Sequence, residues 1–194
     1  MKVLPYGDRG ILLDCASLDE ARRWYAAVES SAEAVMGART VLLRGDPASL
    51  RSLVEKAEPA DLTDLDATPL TIEVTYDGPD LEQVAELVSL SVDDVIAAHT
   101  GSVWTAAFGG FVPGFSYLVG GDRRLEVPRL ETPRTKVPAG AVGLAGEFSG
   151  IYPRSSPGGW QLIGHTAAIL WDVDRDPPAL ITPGTRVQFV VAGS

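Results

Sequence analysis

The chain has 194 residues, with 16 basic and 26 acidic side chains and a net charge of −10. That balance excludes nucleic acid as a partner, because a phosphate backbone needs clustered lysine and arginine, and it argues against an anionic membrane surface. A single cysteine, Cys15, rules out an internal disulfide, and the lack of any asparagine rules out N-linked glycosylation.

The opening residues, Met1 to Tyr6, hold no long apolar run, so a signal peptide is not expected and the protein is read as cytoplasmic. Leu18, Ala21, Tyr25, Val28, Ala32 and Val35 repeat at spacings of 3 and 4, which predicts a helix over 17–35. Ser17 with Glu20 forms its capping box. Strand-like runs at 10–15 and 40–43 flank it. Asp46-Pro47 starts a second helix that buries Leu50, Leu53, Val54 and Ala57. These elements suggest a small two-layer α/β sandwich over residues 1–67. The acidic stretch 58–68 reads as a linker.

Leu70, Ile72, Val74 and Tyr76 alternate with polar residues, a half-buried strand. Two short helices follow, capped by Asp80 with Gln83 and by Ser91 with Asp94. Residues 95–121 carry no formal charge, but six glycines and Pro113 interrupt them, so they do not read as a membrane span. Beyond Ser102 the apolar runs are short and β-like: 103–108, 141–145, 160–163, 167–171 and 186–191. Residues 101–164 hold 13 of the 20 glycines. This pattern predicts a small barrel or sandwich over 68–194.

Several chemistries lack their motifs. There is no phosphate-binding P-loop, dinucleotide fingerprint, H-E-x-x-H or C-x-x-C, and two histidines with one cysteine predict no metal site. Residues 108–118 carry aromatics at 108, 111, 115 and 117 between glycines, which fits either a pocket wall or an aromatic-packed turn. Five of the 16 basic residues fall within 123–138: Arg123, Arg124, Arg129, Arg134 and Lys136. They either bind an anion or pair with Asp122, Glu126 and Glu131. Residues 137–171 carry only two formal charges, Glu147 and Arg154, as a buried wall or an interface does. The Ser-Ser-Pro-Gly-Gly run at 155–159 forms either a plain turn or an anion nest. His99, on the apolar face of a helix end, is either a packed core residue or a proton carrier. His165 and Cys15 read as structural.

Taken together, these segments resemble one family. Residues 110–118 (GFVPGFSYL), the Pro-Arg steps at 128–129 and 133–134 with Val-Pro-Ala-Gly at 137–140, and GIYP with SSPGGWQLIG over 150–164 are similar to the motifs of the allophanate hydrolase subunit 1, or KipI-like, family. Its bacterial members include the B subunit of 5-oxoprolinase. Three departures stand out: Ala141 where serine is usual, Phe148-Ser149 where Gln-Thr is usual, and His165 where arginine is usual. The resemblance implies an α+β chain, a two-layer sandwich followed by a cyclophilin-like β-barrel. It implies as partners an allophanate hydrolase subunit 2 protein, equivalent to the C subunit of 5-oxoprolinase, and a third, A-type subunit. As reaction it implies the ATP-dependent opening of 5-oxoproline to glutamate. It leaves open a KipI-like inhibitor of a histidine kinase and a carboxyltransferase-type subunit. On the enzyme reading His99, Arg129, Arg134 and Lys136 are the candidate catalytic residues. Gly110, Phe111, Pro113, Gly114, Phe115, Tyr117, Tyr152, Ser156, Gly158 and Gly159 are the candidate binding residues. ATP is the expected co-substrate of the complex.

Overall fold

A computed structural model of the chain describes residues 1–61 and 68–193. It divides into two units, Met1–Asp66 and Ala67–Ser194. Of the stretch read as a linker, residues 62–67 lie outside the described residues.

In the first unit, strands β1 (Lys2–Pro5) and β2 (Gly10–Asp14), helix α1 (Leu18–Val28), strands β3 (Glu33–Met36) and β4 (Thr40–Arg44) and helix α2 (Pro47–Lys56) follow one another. The strands form one antiparallel sheet in the order β1-β2-β4-β3. Ile11, Leu13, Val41 and Leu43 alternate onto one face and are fully buried. α1 contributes Ala21, Trp24 and Val28 to this core, and α2 contributes Leu50 and Val54. Ser17 and Asp46 cap the helices, accepting from the amides of Glu20 and Ser49 at 3.1 and 2.8 Å. The helix predicted over 17–35 ends at Val28. Ser30 and Ser31 favour turn conformations, and Val35 pairs with Leu42 in β3, half exposed at a sheet edge.

The second unit runs β5 (Leu70–Val74), α3 (Leu81–Val88), α4 (Val92–Thr100), β6 (Val103–Gly109), β7 (Ser116–Val119), a 3-10 turn (Arg123–Leu125), β8 (Arg134–Val137), β9 (Ala141–Ala145), β10 (Phe148–Ile151), β11 (Ser156–Gly158), β12 (Gln161–His165) and β13 (Arg186–Val191). Seven strands form one sheet in the order β12-β9-β10-β7-β6-β13-β5, while β8 and β11 make a separate two-stranded ribbon. A bridge between Thr75 and His165 joins the two ends of the sheet, so it is a nearly closed barrel. Ile72, Val74, Trp104, Leu118, Leu144, Ile163, Val187 and Phe189 belong to the apolar cluster that α3 and α4 join with Leu81, Val84, Val95 and Ala98. The run 167–171 is not a strand; only Trp171 bridges, to Ala179. Pro177, Pro178 and Pro183 lack the amide hydrogens a ladder needs.

Closure depends on a short seam. Thr75 and His165 exchange backbone hydrogen bonds at 2.8 and 2.9 Å, and the amides of Gly78 and Asp80 donate to Ile163 and Leu162 at 3.2 and 3.0 Å. Asp80 was expected to cap α3, but its side chain makes no cap bond. Its carboxylate turns to the seam instead, where Oδ2 accepts from the Leu162 amide at 2.6 Å and Oδ1 from Arg134 Nη2 at 2.5 Å. Gly78 and Gly164 allow the two backbones to meet, since a Cβ on either would overlap main-chain atoms opposite. No helix among the described residues is long and apolar enough to cross a membrane.

Gly78→Ala therefore costs about 2 to 3 kcal/mol of stability by overpacking. Gly146→Ala has a left-handed φ of +57° but open space around it, and costs only about 1 kcal/mol. Urea midpoints of the two variants should rank in that order.

Candidate functional site

The site is built where the glycine-aromatic loop meets the proline-arginine arch. Phe115 is the hub of an aromatic box. Its ring meets those of Phe111, Tyr117, Tyr152 and Trp160 edge-on, with centroids 5.5, 5.1, 5.5 and 5.4 Å away. Phe108 stacks on Tyr117 at 4.4 Å. This geometry suits the ring quadrupoles and fixes the wall of the barrel here. Phe111 is the exception to the burial, being 56% exposed. It also adopts a left-handed φ of 64°, a conformation that costs a bulky residue energy and recurs at functional loops. Backbone bonds from Val112 to Gly110 and from Phe115 to Val112 hold the turn that presents it.

Residues 109–116 line one side of a groove of about 430 Å³, and Trp171, Ala179, Ile181, Thr182 and Pro183 line the other. Gly110, Phe111, Pro113, Gly114 and Phe115 thus share one wall. The volume suits a small ligand or an inserted side chain.

The arch over 128–134 is stapled to β12 and the turn before it. Leu130 donates to the Gly159 carbonyl at 2.8 Å, Gln161 Nε2 to the Pro128 carbonyl at 3.2 Å, and Arg134 Nη1 to the Trp160 carbonyl at 3.4 Å. Beneath it lies Tyr152, 2% exposed, with Gly158 so close to its hydroxyl that no Cβ would fit. Burial raises the Tyr152 pKa, and the Trp160 amide and the charges of Arg129 and Arg134 oppose that rise. Phe111 also meets Tyr152 edge-on at 6.2 Å. Tyr152 therefore connects the groove wall to the arch. The Ser156 hydroxyl and Gln161 Oε1 are buried with no hydrogen-bond partner among the described residues.

The five basic residues of this stretch separate by role. Arg123 and Arg124 pair locally with Glu126 and Asp122, at 3.7 and 2.6 Å. Arg134, expected to face substrate, has its guanidinium committed to Asp80, which is only 3% exposed. Arg129 and Lys136 are exposed and form no ion pair among the described residues. They remain the cations able to meet an anion.

The expectation of a proton-carrying His99 gives way to a core histidine. It is completely buried and stacks on Phe189, with centroids 4.3 Å apart. Nδ1 lies 2.7 Å from the Tyr76 hydroxyl and Nε2 2.9 Å from Ser149 Oγ, so a neutral ring satisfies both partners. Burial pushes its pKa down to about 3 and pushes the Tyr76 hydroxyl well up. Ser149, one of the departures from the family pattern, supplies a hydroxyl that this ring needs. Another departure, His165, sits on the seam with Nδ1 2.8 Å from Asp77 Oδ1. Sequence reading missed the structural work of Asp80 and Gln161, because each acts on residues dozens of positions away. No group of three or more His, Cys, Asp or Glu side chains among the described residues could hold a metal ion.

Comparison with known proteins adds the following. Residues 1–181 match the family model described as the carboxyltransferase domain, subdomains C and D. The chain is 43% identical over 137 residues to the B subunit of 5-oxoprolinase from Bacillus subtilis, a match covering 69% of this chain and 57% of that protein. It is 34% identical over 210 residues to the B subunit of 5-oxoprolinase from Haemophilus influenzae, covering 100% of this chain and 99% of that protein. The crystal structure of TTHA0988 superposes with a TM-score of 0.82 at 34% identity, covering 96% of this chain and 40% of that one.

Two measurements check the site's electrostatics. With its folded pKa below the ordinary value of 6.5, His99 takes up a proton in the unfolded chain first. Its stabilising contribution is complete above about pH 7 and is lost as pH falls toward 3, by up to about 1.4 kcal/mol per pH unit. The urea midpoint should drop between pH 7 and pH 5.5, and the drop should shrink in His99→Gln. Asp80→Ala, which strands Arg134 and the Leu162 amide, costs about 3 kcal/mol.

Proposed function

Because the chain belongs to the family of carboxyltransferase domains, subdomains C and D, we propose that it serves as the B subunit of an ATP-dependent 5-oxoprolinase. The carrying observation is the end-to-end match to the Haemophilus influenzae protein. On this reading the chain works with the A and C subunits on 5-oxoproline, ATP and water, and releases glutamate. It is inactive alone.

A five-membered lactam is stable, and opening it requires charge stabilisation at the carbonyl oxygen. Arg129, whose charge acts on Tyr152 of the aromatic box, offers that positive charge or holds the carboxylate or a phosphate group, and the exposed Lys136 on β8 is a second cation of the same segment. Arg129 forks onto such groups with two parallel hydrogen bonds. Tyr152 orients the site between arch and groove. ATP supplies the driving force, and Arg129 and Lys136 are among the exposed cations this chain offers its phosphates. Arg134 acts indirectly, by keeping the arch in place through Asp80.

The test is ATP-dependent release of glutamate from 5-oxoproline by this chain, alone and with the A and C subunits. Activity is expected from the complete set and not from the lone chain. Arg129→Ala should lower it at least tenfold without shifting the urea midpoint, with partial recovery in Arg129→Lys. Unchanged activity in Arg129→Ala overturns the site, and no glutamate from the complete set overturns the function. The family description favours a second reading, a component for carboxyl transfer, which biotin-dependent transfer without glutamate release would establish.

A further inference from the structure

The loop after β12 presents apolar side chains to solvent. Ile169 is 64% exposed, Trp171 39% and Val173 75%, whereas Leu170 between them is buried. Alternation along an extended backbone places Ile169 and Trp171 on one face. Bonds from Leu180 to Leu170 at 2.9 Å and from Asp172 to Pro178 at 3.0 Å fold the segment into a hairpin with Val173 near its tip. Trp171 and the exposed, left-handed Phe111 line the same groove. Single exposed apolar residues are ordinary, but two exposed aromatics lining one groove, with Ile169 and Val173 exposed on the hairpin that carries one of them, are the pattern of a protein interface with aromatics as anchors.

The surrounding charge indicates what covers this face. Asp172, Asp174 and Asp176 punctuate the hairpin, and Asp174 and Asp176 are exposed. The intervening cation, Arg175, turns inward, with Nη2 donating to the Ile169 carbonyl at 3.1 Å and lying 4.0 Å from Asp172 Oδ2. The exposed carboxylates of Asp174 and Asp176 therefore leave the hairpin tip negative. A second copy of this chain, itself at −10, would bring like charge against it.

We propose that the groove and hairpin form the docking face for a companion protein that inserts an apolar side chain between Phe111 and Trp171 and surrounds it with lysines or arginines. This deepens the 5-oxoprolinase reading above and rests on it, with the companion being another component of the same enzyme. Complementary charge raises the association rate and the specificity, and the apolar anchor lengthens the lifetime of the complex.

Tryptophan fluorescence tests it directly. Trp24, Trp104 and Trp160 are buried at 9, 2 and 4% exposure, so Trp171 dominates quenching by a neutral probe such as acrylamide. The full chain is titrated with purified A and C subunits from the same source. Quenching should fall on mixing toward that of Trp171→Phe. Val173→Glu and the pair Asp174→Lys with Asp176→Lys should each weaken association at least tenfold with unchanged urea midpoints. Leu87→Glu, at an exposed position on α3, should bind as the wild type does. A complex in which Trp171 stays open to acrylamide, or in which Val173→Glu binds normally, overturns this inference and leaves the 5-oxoprolinase reading standing. Failure of the wild-type chain to bind either companion overturns both.

Discussion

The second unit depends on one buried carboxylate. Asp80 accepts from a main-chain amide on β12 and from Arg134 on the β8–β11 ribbon, and so joins three segments that are far apart in sequence. A buried charge is costly unless it is paired and hydrogen-bonded, and here both oxygens have a donor. The same residue thus closes the barrel and anchors the arch that carries Arg129. Barrel seam and arch share one carboxylate. The glycines opposite each other on the seam are the steric side of that constraint, since the electrostatic contact forms only if the backbones can meet.

Much of the fold could be read from short-range pattern. The alternation in 70–76 gave β5, the run at 186–191 is β13 itself, and the caps at Ser17, Asp46 and Ser91 form as expected. Errors arose where distant pairing overrode local preference. The 3-and-4 spacing continued through Ala32 and Val35, but pairing with β4 drew Val35 into a strand and the helix stopped short of both. Asp80 has a cap's position and spacing, and only β12, some 80 residues on, shows why it does otherwise. The pleat of 167–171 resembles a strand, but the prolines that follow deny it a ladder.

The candidate site divided in a similar way. Composition marked the arginine-rich arch and the glycine-aromatic loop, and both lie where one aromatic box connects them. What composition could not do was distinguish cations already engaged from those left open. Arg134 and Arg129 lie in nearly identical Pro-Arg steps, but one faces a buried acid and the other faces solvent. His99 posed the same problem. A helix C-terminus favours the charged ring, but complete burial against Phe189 outweighs the dipole.

Phe111 sets two selective pressures against each other. Glycine at that position would relax the left-handed backbone and make the chain slightly harder to unfold. It would also remove the ring from the rim of the groove. A search for thermostability alone would therefore discard this phenylalanine early, and with it the ring contacts to Phe115 and Tyr152. Stability and the exposed aromatic edge of the groove are thus opposed at a single residue.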